Sequence, residues 1–348
     1  MAWFRIPNCR CSSDKENLTT FSIIIPMRNE SKTIVSLLQN LNNLSYPKSN
    51  YEIIVVDDAS EDDSWDKVEV LEISNLTLVK SKFSGKKGAL KTALEFAKND
   101  YIIQTDADCQ VDKQYLECIN TYLSKTSPKL LLAPVIFKPQ NSVFEALQEL
   151  DFMALMMITA GTAKLNRPVM ANGANLIYPK TIISDSDIFN AKVGSGDDMF
   201  LLSYVKKKYG AKSIQYLKSK LASIQTLPQT KLKDLFYQRV RWASKSKHYR
   251  DVDILTVGFV MFLVNILLFG FFIGSFFQAW IWDIFISVFL IKMLIDSILL
   301  FPILKFYNRR RLFIYLPILS FVYLFYISFV GVISPFINFE WKNRYYSS

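Results

Sequence analysis

The sequence predicts an α/β domain with a mostly parallel sheet, followed by apolar helices that cross a membrane. Short apolar runs at residues 21–25, 51–56, 76–79 and 101–104 alternate with segments of helical character. A continuous apolar run is typical of a parallel strand that is covered on both faces. After about residue 250, most of the chain is apolar over lengths that suit membrane spans.

The first half of the domain alternates strand and helix. The first apolar run stops at Pro26, and Ser31 is the predicted N-cap of the helix that follows. The second run ends in the acidic pair Asp57 and Asp58. The third leads into SGKKG, a basic, glycine-containing loop that suits a diphosphate and precedes an amphipathic helix.

The fourth run, 101–104, is followed by a second acidic pair, Asp106 and Asp108. Parallel strands end at the same edge of a sheet, so both acidic pairs are predicted to lie in the crevice where α/β sheets bind ligands. Carboxylates there can hold a hard divalent cation, and the cation can hold a diphosphate. The alternative is a solvated acidic turn, because acidic pairs on loops are common.

Composition sets the domain boundaries and excludes one class of partner. The chain has 348 residues, of which 51% are hydrophobic, and a formal net charge of +10. We predict a frayed tail over residues 1–20, with a tail lying on the membrane surface through Trp3 and Phe4 as the alternative. An α/β domain is predicted over 21–250 and a membrane domain over 251–348. Lys and Arg are scattered or gathered near the apolar region, which favours anionic lipids over nucleic acid. The four cysteines are predicted to be free thiols.

Seven motifs in order carry a resemblance to a known family. They are SIIIPMRNE, VVDDAS, SGKKGAL, TDADC, NGANLIYPK, GSGDD and QRVRW. Together they resemble the family 2 glycosyltransferases, whose catalytic domain has the GT-A fold, a Rossmann-like and mostly parallel sheet. The last motif resembles the QxxRW signature of membrane-embedded members, such as cellulose and hyaluronan synthases and ceramide glucosyltransferases.

The resemblance implies a nucleotide-sugar donor, with UDP-sugars expected. It places one of Asp57 and Asp58 on the uracil and ribose. It implies Mg²⁺ or Mn²⁺ bound directly by Asp108, with Asp106 as a further ligand or a ribose contact. The residues implied for the nucleotide sugar are Pro26, Arg28, Glu30, Asp57, Asp58, Lys86, Lys87 and Asp106.

The resemblance also implies the catalytic and acceptor residues. Asp198 is the expected general base, with Asp197 beside it, although the pair can also begin a helix. Asn172 and Gly173 are expected to contact the acceptor or the donor sugar. Three residues share one helical face and are expected to contact diphosphate or sugar, or else to form an interfacial membrane helix: Gln238, Arg241 and Trp242.

Three apolar segments, 254–277, 280–304 and 312–337, are each long enough to span a bilayer. The catalytic domain is predicted on the cytoplasmic face of the inner or plasma membrane, and the number of true crossings stays open. Lys292 and Asp296 lie inside the second segment, either as a lock between helices or as the lining of a cleft for a lipid acceptor.

The predicted function is therefore that of an inverting, metal-dependent glycosyltransferase. It would move a sugar from a nucleotide donor to a hydroxyl of a lipid or glycan acceptor at the membrane. A processive polysaccharide synthase is one alternative. A catalytically silent, nucleotide-binding subunit of a membrane assembly is a more remote one.

Overall fold

The computed structural model describes residues 2–11, 18–139, 142–183, 196–245, 249–334, 339–341 and 344–346. The chain divides into two compact units. We call Ala2–Lys138 with Thr159–Leu227 the sheet unit, and Pro139–Ile158 with Pro228–Ser348 the helical unit.

The sheet unit is built on seven strands in the order β3-β2-β1-β4-β7-β5-β8. All neighbours pair in parallel except β7, which runs antiparallel to β4 and β5. Two further strands, β6 and β9, pair in parallel with each other. The strands are β1 (Phe21–Met27), β2 (Tyr51–Asp57), β3 (Leu76–Lys80), β4 (Tyr101–Gln104), β5 (Leu130–Leu132), β6 (Val135–Phe137), β7 (Leu176–Pro179), β8 (Ile214–Tyr216) and β9 (Ile224–Thr226).

The four predicted strands are present, with one difference in β1. This strand continues through Pro26 to Met27, where sequence analysis ends it before the proline. Pairing with β4 stops at Ile24 and Gln104, so β1 has a neighbour on only one side at Pro26. A proline is tolerated on the open side of a strand because no ladder hydrogen bond is lost there.

Five helices accompany the sheet: α1 (Ile34–Asn42), α2 (Ser64–Glu69), α3 (Gly85–Phe96), α4 (Tyr115–Leu123) and α6 (Asp197–Tyr209). Two predictions about their starts are wrong. Helix α1 has Thr33 at its N-cap, not Ser31, because a turn over residues 31–33 precedes it. Helix α3 begins at Gly85, so Lys86 and Lys87 belong to its first turn and not to a loop.

The N-terminal segment packs on the sheet unit, which corrects the prediction of a frayed tail for residues 2–11. Trp3 is only 2% exposed, and the ammonium of Lys218 lies 4.3 Å from its ring centroid. The same ammonium donates to the backbone carbonyl of Trp3 at 3.2 Å. Cys11 and Cys118 form a disulfide with a Cα–Cα distance of 4.4 Å, so the prediction of free thiols is wrong for this pair.

The helical unit contains the first part of α5 (Val143–Lys164), together with α7 (Leu232–Ser244), α8 (Val252–Gly274), α9 (Ala279–Phe306) and α10 (Leu316–Ile333). A short hairpin, β10 (Phe339–Trp341) with β11 (Arg344–Tyr346), also belongs to it. In the described part of the chain, three helical segments are long and apolar enough to cross a membrane: Val252–Gly274, Ala279–Phe306 and Arg310–Ile333.

Lys292 and Asp296 pair with each other on α9, at 2.6 Å. The Lys292 ammonium also lies 5.7 Å from the ring centroid of Tyr323 on α10. A salt bridge within one helix offsets both charges locally. The pair is therefore satisfied within α9 and touches its neighbour through one aromatic ring.

A buried asparagine ties three parts of the sheet unit together. The side-chain amide of Asn175 donates to the backbone carbonyls of Pro134, at 2.7 Å, and Ala222, at 3.0 Å. Its side-chain oxygen accepts from the Tyr115 hydroxyl at 2.7 Å. Asn175 has no exposed surface, and it makes one hydrogen bond with each of these three groups.

We predict that Asn175→Leu lowers the free energy of unfolding by about 2–4 kcal/mol, because it leaves two buried carbonyls and one hydroxyl without this partner. Tyr115→Phe, which removes only the hydroxyl bond, is expected to cost about 1 kcal/mol. Denaturant titration of the purified chain in detergent measures both. Equal stability of Asn175→Leu and the wild type would contradict this role for Asn175.

Candidate active site

The candidate site lies at the carboxyl ends of β1, β2 and β4. Asp57 is the last residue of β2, and Asp106 follows β4 by two residues. Both strands pair in parallel with β1, so their carboxyl ends open at one edge, on either side of β1. Strand order reverses there, which is where open α/β sheets bind ligands. The two acidic pairs therefore share one sheet edge, as the strand pattern predicts.

Arg28 braces the loop that follows β2. Its buried guanidinium donates to the backbone carbonyls of Asp58, at 2.7 Å, and Ala59, at 2.5 Å, and pairs with Glu61 at 2.9 Å. Ala59 has a φ of 54°, in the left-handed region that favours glycine. A glycine would adopt this conformation with less strain than Ala59 does.

The carboxylate of Asp58 meets the start of α3. Its Oδ1 accepts from the backbone N–H of Gly85 at 2.9 Å, and its own N–H donates to the Met27 carbonyl at 2.8 Å. A carboxylate at a helix N-terminus is stabilised by the free backbone N–H groups and the helix dipole. Asp57 accepts from the backbone N–H of Ser60, at 3.2 and 3.3 Å. Both carboxylates are buried at the base of the site.

Lys86 brings the acidic residues of the site together. Its ammonium lies 2.5 Å from Oδ1 of Asp106 and also faces the carboxylates of Asp197 and Asp198. Burial alone lowers the pKa of Lys86, but these three carboxylates outweigh it and raise the pKa above its usual value. Lys86 therefore stays protonated throughout the neutral range and offsets the repulsion among the carboxylates.

Asp197 and Asp198 begin α6 and have different surroundings. Asp197 is buried and accepts from the side-chain amide of Gln104 at 2.5 Å. Asp198 is partly exposed, and its Oδ2 accepts from the backbone N–H of Gly173 at 3.3 Å. A carboxylate open to an incoming hydroxyl suits a general base, whereas a buried and paired one suits a supporting role. The first two residues of GSGDD lie outside the described residues.

Gly173 lies inside this cluster. A Cβ placed on it would be 3.1 Å from Nε2 of Gln104, 3.2 Å from Oδ2 of Asp197 and 3.4 Å from Nζ of Lys86. The neighbouring Asn172 accepts from the backbone N–H of Ala174 at 3.0 Å, which shapes the turn that presents Gly173. A side chain at residue 173 would crowd three polar groups of the site.

Asp108 has a different partner from Asp106. Its Oδ2 accepts from the Thr226 hydroxyl at 3.1 Å, on β9. Within the described ranges, no three His, Cys, Asp or Glu side chains form a ready-made metal cage. Mg²⁺ is usually held by one or two carboxylates together with substrate phosphates. Asp106 and Asp108, both partly exposed, fit a cation that binds together with a diphosphate.

Three further residues are predicted to bind the nucleotide sugar: Lys87, Pro26 and Glu30. The buried ammonium of Lys87 lies 4.4 Å from the ring centroid of Phe200 on α6, whereas the ammonium of Lys86 pairs with Asp106. Pro26 lies within β1. The backbone N–H of Glu30 donates to the Ser64 hydroxyl oxygen at 2.8 Å, and the Glu30 carboxylate accepts from the Thr33 hydroxyl at 3.1 Å.

Gln238, Arg241 and Trp242 lie on α7, in the helical unit, and all three are partly buried. Arg239 and Val240 of QRVRW are buried, and the sequence motif assigns no role to Arg239. Its guanidinium carbon lies 4.5 Å from the ring centroid of Trp242.

Sequence reasoning missed three residues that support the site: Gln104, Asn175 and Thr226. Gln104 holds Asp197, Asn175 anchors the strand after Gly173, and Thr226 holds Asp108. Gln104 ends the strand that precedes Asp106, and a polar residue at the end of an apolar run is a usable signal. The short polar stretch around Thr226 carries no such signal.

We predict that Gly173→Ala lowers the rate of the sugar transfer that the sequence motifs imply, on the order of 100-fold, because the added Cβ displaces Lys86 or Asp197 from the positions just described. Folding should change little, since the neighbours are ends of polar side chains. Nucleotide release measures the rate, and thermal unfolding measures stability. Gly161→Ala, at an open site on α5, is the matched control. Wild-type transfer by Gly173→Ala would show that the cluster tolerates displacement.

Comparison with known sequences agrees with this geometry. Residues 22–182 match the profile of Glycosyl transferase family 2. The structure also superposes on mannosyltransferase PcManGT from Pyrobaculum calidifontis, solved with GDP-Man and Mn²⁺, with a TM-score of 0.57 and 16% identity over 95% of this chain and 91% of that one. At this identity the likeness concerns the fold alone. The segment 22–182 is thus similar to family 2 glycosyltransferases, and the fold is GT-A-like.

Several curated relatives are glycosyltransferases. Glycosyltransferase AglE of Haloferax volcanii is 27% identical over 51% of this chain and 58% of its own length. TarS of Staphylococcus aureus, a poly(ribitol-phosphate) β-N-acetylglucosaminyltransferase, is 25% identical over 48% of this chain. The chain spans only 31% of TarS.

One relative matches over nearly its whole length. It is the dolichyl N-acetyl-α-D-glucosaminyl phosphate 3-β-D-2,3-diacetamido-2,3-dideoxy-β-D-glucuronosyltransferase of Methanococcus voltae, which is 24% identical over 87% of this chain and 92% of its own.

Proposed function

We propose that this chain is an inverting glycosyltransferase that moves a sugar from a nucleoside diphosphate sugar to a hydroxyl of a lipid-linked acceptor at a membrane. The observation that carries the proposal is the convergence of Lys86, Asp106, Asp197 and Asp198 at the sheet edge. A protonated lysine at a helix N-terminus suits the diphosphate, and a partly exposed carboxylate beside it suits the acceptor hydroxyl.

The donor lies along the carboxyl ends of β1, β2 and β4 in this proposal. Asp57 or Asp58 accepts hydrogen bonds from the base and ribose, and Lys86 turns from Asp106 to the diphosphate. Asp106 and Asp108 would hold Mg²⁺ or Mn²⁺, and the cation would supply positive charge beside the departing nucleotide. The sequence motifs predict a UDP-sugar as the donor. The mannosyltransferase PcManGT, by comparison, was solved with GDP-Man.

Asp198 takes the proton from the acceptor hydroxyl as the new glycosidic bond forms. The backbone N–H of Gly173 donates to the Asp198 carboxylate and orients it. The neighbouring Asp197 accepts a hydrogen bond from the side-chain amide of Gln104. Because the hydroxyl attacks the anomeric carbon directly, no covalent intermediate with the protein is required, and the configuration inverts. Acceptor contacts from Asn172, Gly173, Gln238, Arg241 and Trp242 belong to the same proposal.

A lipid-linked acceptor is supported by the helical unit and by the relatives. Three helical segments are long and apolar enough to cross a membrane. The Methanococcus voltae relative acts on a dolichyl phosphate sugar, and a further relative of 34% identity over 29% of this chain is a β-monoglucosyldiacylglycerol synthase from Trichormus variabilis. We place the catalytic domain on the cytoplasmic face, where nucleotide sugars are made.

The proposal is tested by nucleotide release from the purified chain in nanodiscs. A panel of UDP- and GDP-sugars is offered with Mn²⁺ or Mg²⁺, with and without lipid extract. We expect release from one donor that depends on the lipid and on the metal, and a lipid product that carries one added sugar. A high-mass polymer would favour a processive synthase. Absence of release with every donor would favour the catalytically silent subunit.

We predict that Asp198→Asn abolishes transfer, by a factor on the order of 10²–10⁴, because the acceptor hydroxyl loses its base. Nucleotide binding should stay close to that of the wild type, which titration calorimetry measures. Asp66→Asn, an exposed carboxylate on α2, is the control and should transfer normally. Unchanged turnover by Asp198→Asn would remove Asp198 from the mechanism.

A further inference from the structure

The helical unit contains a buried ion pair whose partners come from different helices. Oδ2 of Asp151 on α5 lies 2.5 Å from the guanidinium of Arg239 on α7. The Tyr323 hydroxyl on α10 donates to the other oxygen of the same carboxylate. Asp151 is 8% exposed and Arg239 is 7% exposed. One carboxylate therefore joins three helices.

Arg239 has a second contact on its own helix. Its guanidinium carbon lies 4.5 Å from the ring centroid of Trp242, three residues along α7. A planar guanidinium over an indole face is a favourable cation–π arrangement, and it restricts the rotation of both side chains. The orientation of Trp242 is thus linked, through Arg239, to Asp151 and Tyr323.

A second ion pair in the same unit gives a useful comparison. Glu149, two residues before Asp151 on α5, pairs with Arg309 at 2.7 Å, and its carboxylate is nearly fully buried. Burial raises the pKa of Glu149, and Arg309 opposes that rise. This pair also contributes to the packing of the helical unit, but neither of its residues belongs to the QRVRW motif.

We infer that Arg239 is a positioning residue: held by Asp151 and Tyr323, it fixes the indole of Trp242 in the orientation that transfer to the acceptor requires. The inference rests on the proposed function, in which Trp242 contacts the acceptor sugar. It gives a role to the buried arginine of the motif and to a tyrosine of a helix that can cross a membrane. Displacing a group that positions a substrate costs rate even when the fold is intact.

The test separates positioning from stability by neutralising both charges. Asp151→Asn and Arg239→Gln alone each leave a buried charge without its partner and should lower the melting temperature. The double variant removes both charges, so its melting temperature should return close to that of the wild type. We expect the double variant to transfer sugar on the order of 100-fold more slowly, with an unchanged KM for the nucleotide sugar.

A spectroscopic readout tests the same point without any turnover. The chain is labelled with 5-fluorotryptophan, and Trp242→Phe assigns the resonance of Trp242. This resonance should shift or broaden in the double variant. It should stay unchanged in Glu149→Gln/Arg309→Gln, the matched neutralisation, which should also transfer normally. If the wild type transfers to no acceptor, the proposed function fails, while the fluorine spectra still decide the positioning role.

Two results would overturn the inference. One is a double variant with a restored melting temperature and wild-type transfer. The other is a Trp242 resonance that is the same in the double variant and the wild type. Should the double variant not fold, Arg239→Lys replaces it: lysine keeps the charge pair but lacks the planar guanidinium. That variant should fold, lose transfer and shift the Trp242 resonance, and wild-type behaviour in both assays would contradict the inference.

Discussion

The contact between the Lys86 ammonium and the carboxylate of Asp106 is the interaction on which the candidate site depends. Segments far apart in sequence bring Asp106, Asp197 and Asp198 towards one sheet edge, and their like charges repel each other in a partly buried space. The first turn of α3 supplies the counter-charge through Lys86, and the backbone N–H of Gly85 in the same turn holds Asp58. The N-terminal turn of α3 thus contacts the acidic residues through Lys86 and Gly85, and in the proposed function the same turn binds the diphosphate.

The strands near the site could be predicted because each is a mostly apolar segment at least four residues long. Strands β5, β6, β8 and β9 have three residues each, which is too short for a pattern to show. The antiparallel β7 was not predicted either, although its residues lie in the NGANLIYPK motif. Its place between β4 and β5 depends on contacts such as those of Asn175, and these join segments about 40 or more residues apart.

The acidic residues and Gly173 could be located because ordered motifs and strand ends place them on one edge. The different roles of adjacent residues in these motifs could not be predicted from the sequence. Lys86 and Lys87 are equivalent in sequence, and only the phase of α3 sends one to the carboxylates and the other to Phe200. Asp197 and Asp198 differ in the same way, because the start of α6 buries the first and leaves the second partly exposed. The role of Arg239 could not be predicted, because its partner Asp151 lies on another helix, far away in the sequence.

The most direct measurement is the affinity of the chain for UDP and GDP in the presence of Mn²⁺, by titration calorimetry, with and without Lys86. Lys86→Gln should fold normally and bind the nucleotide about 10- to 100-fold more weakly, because a charge-assisted contact to the diphosphate is lost. Lys91→Gln, on the next turn of α3 and packed over Phe83, should bind as the wild type does. Wild-type affinity in Lys86→Gln would contradict the account of this site.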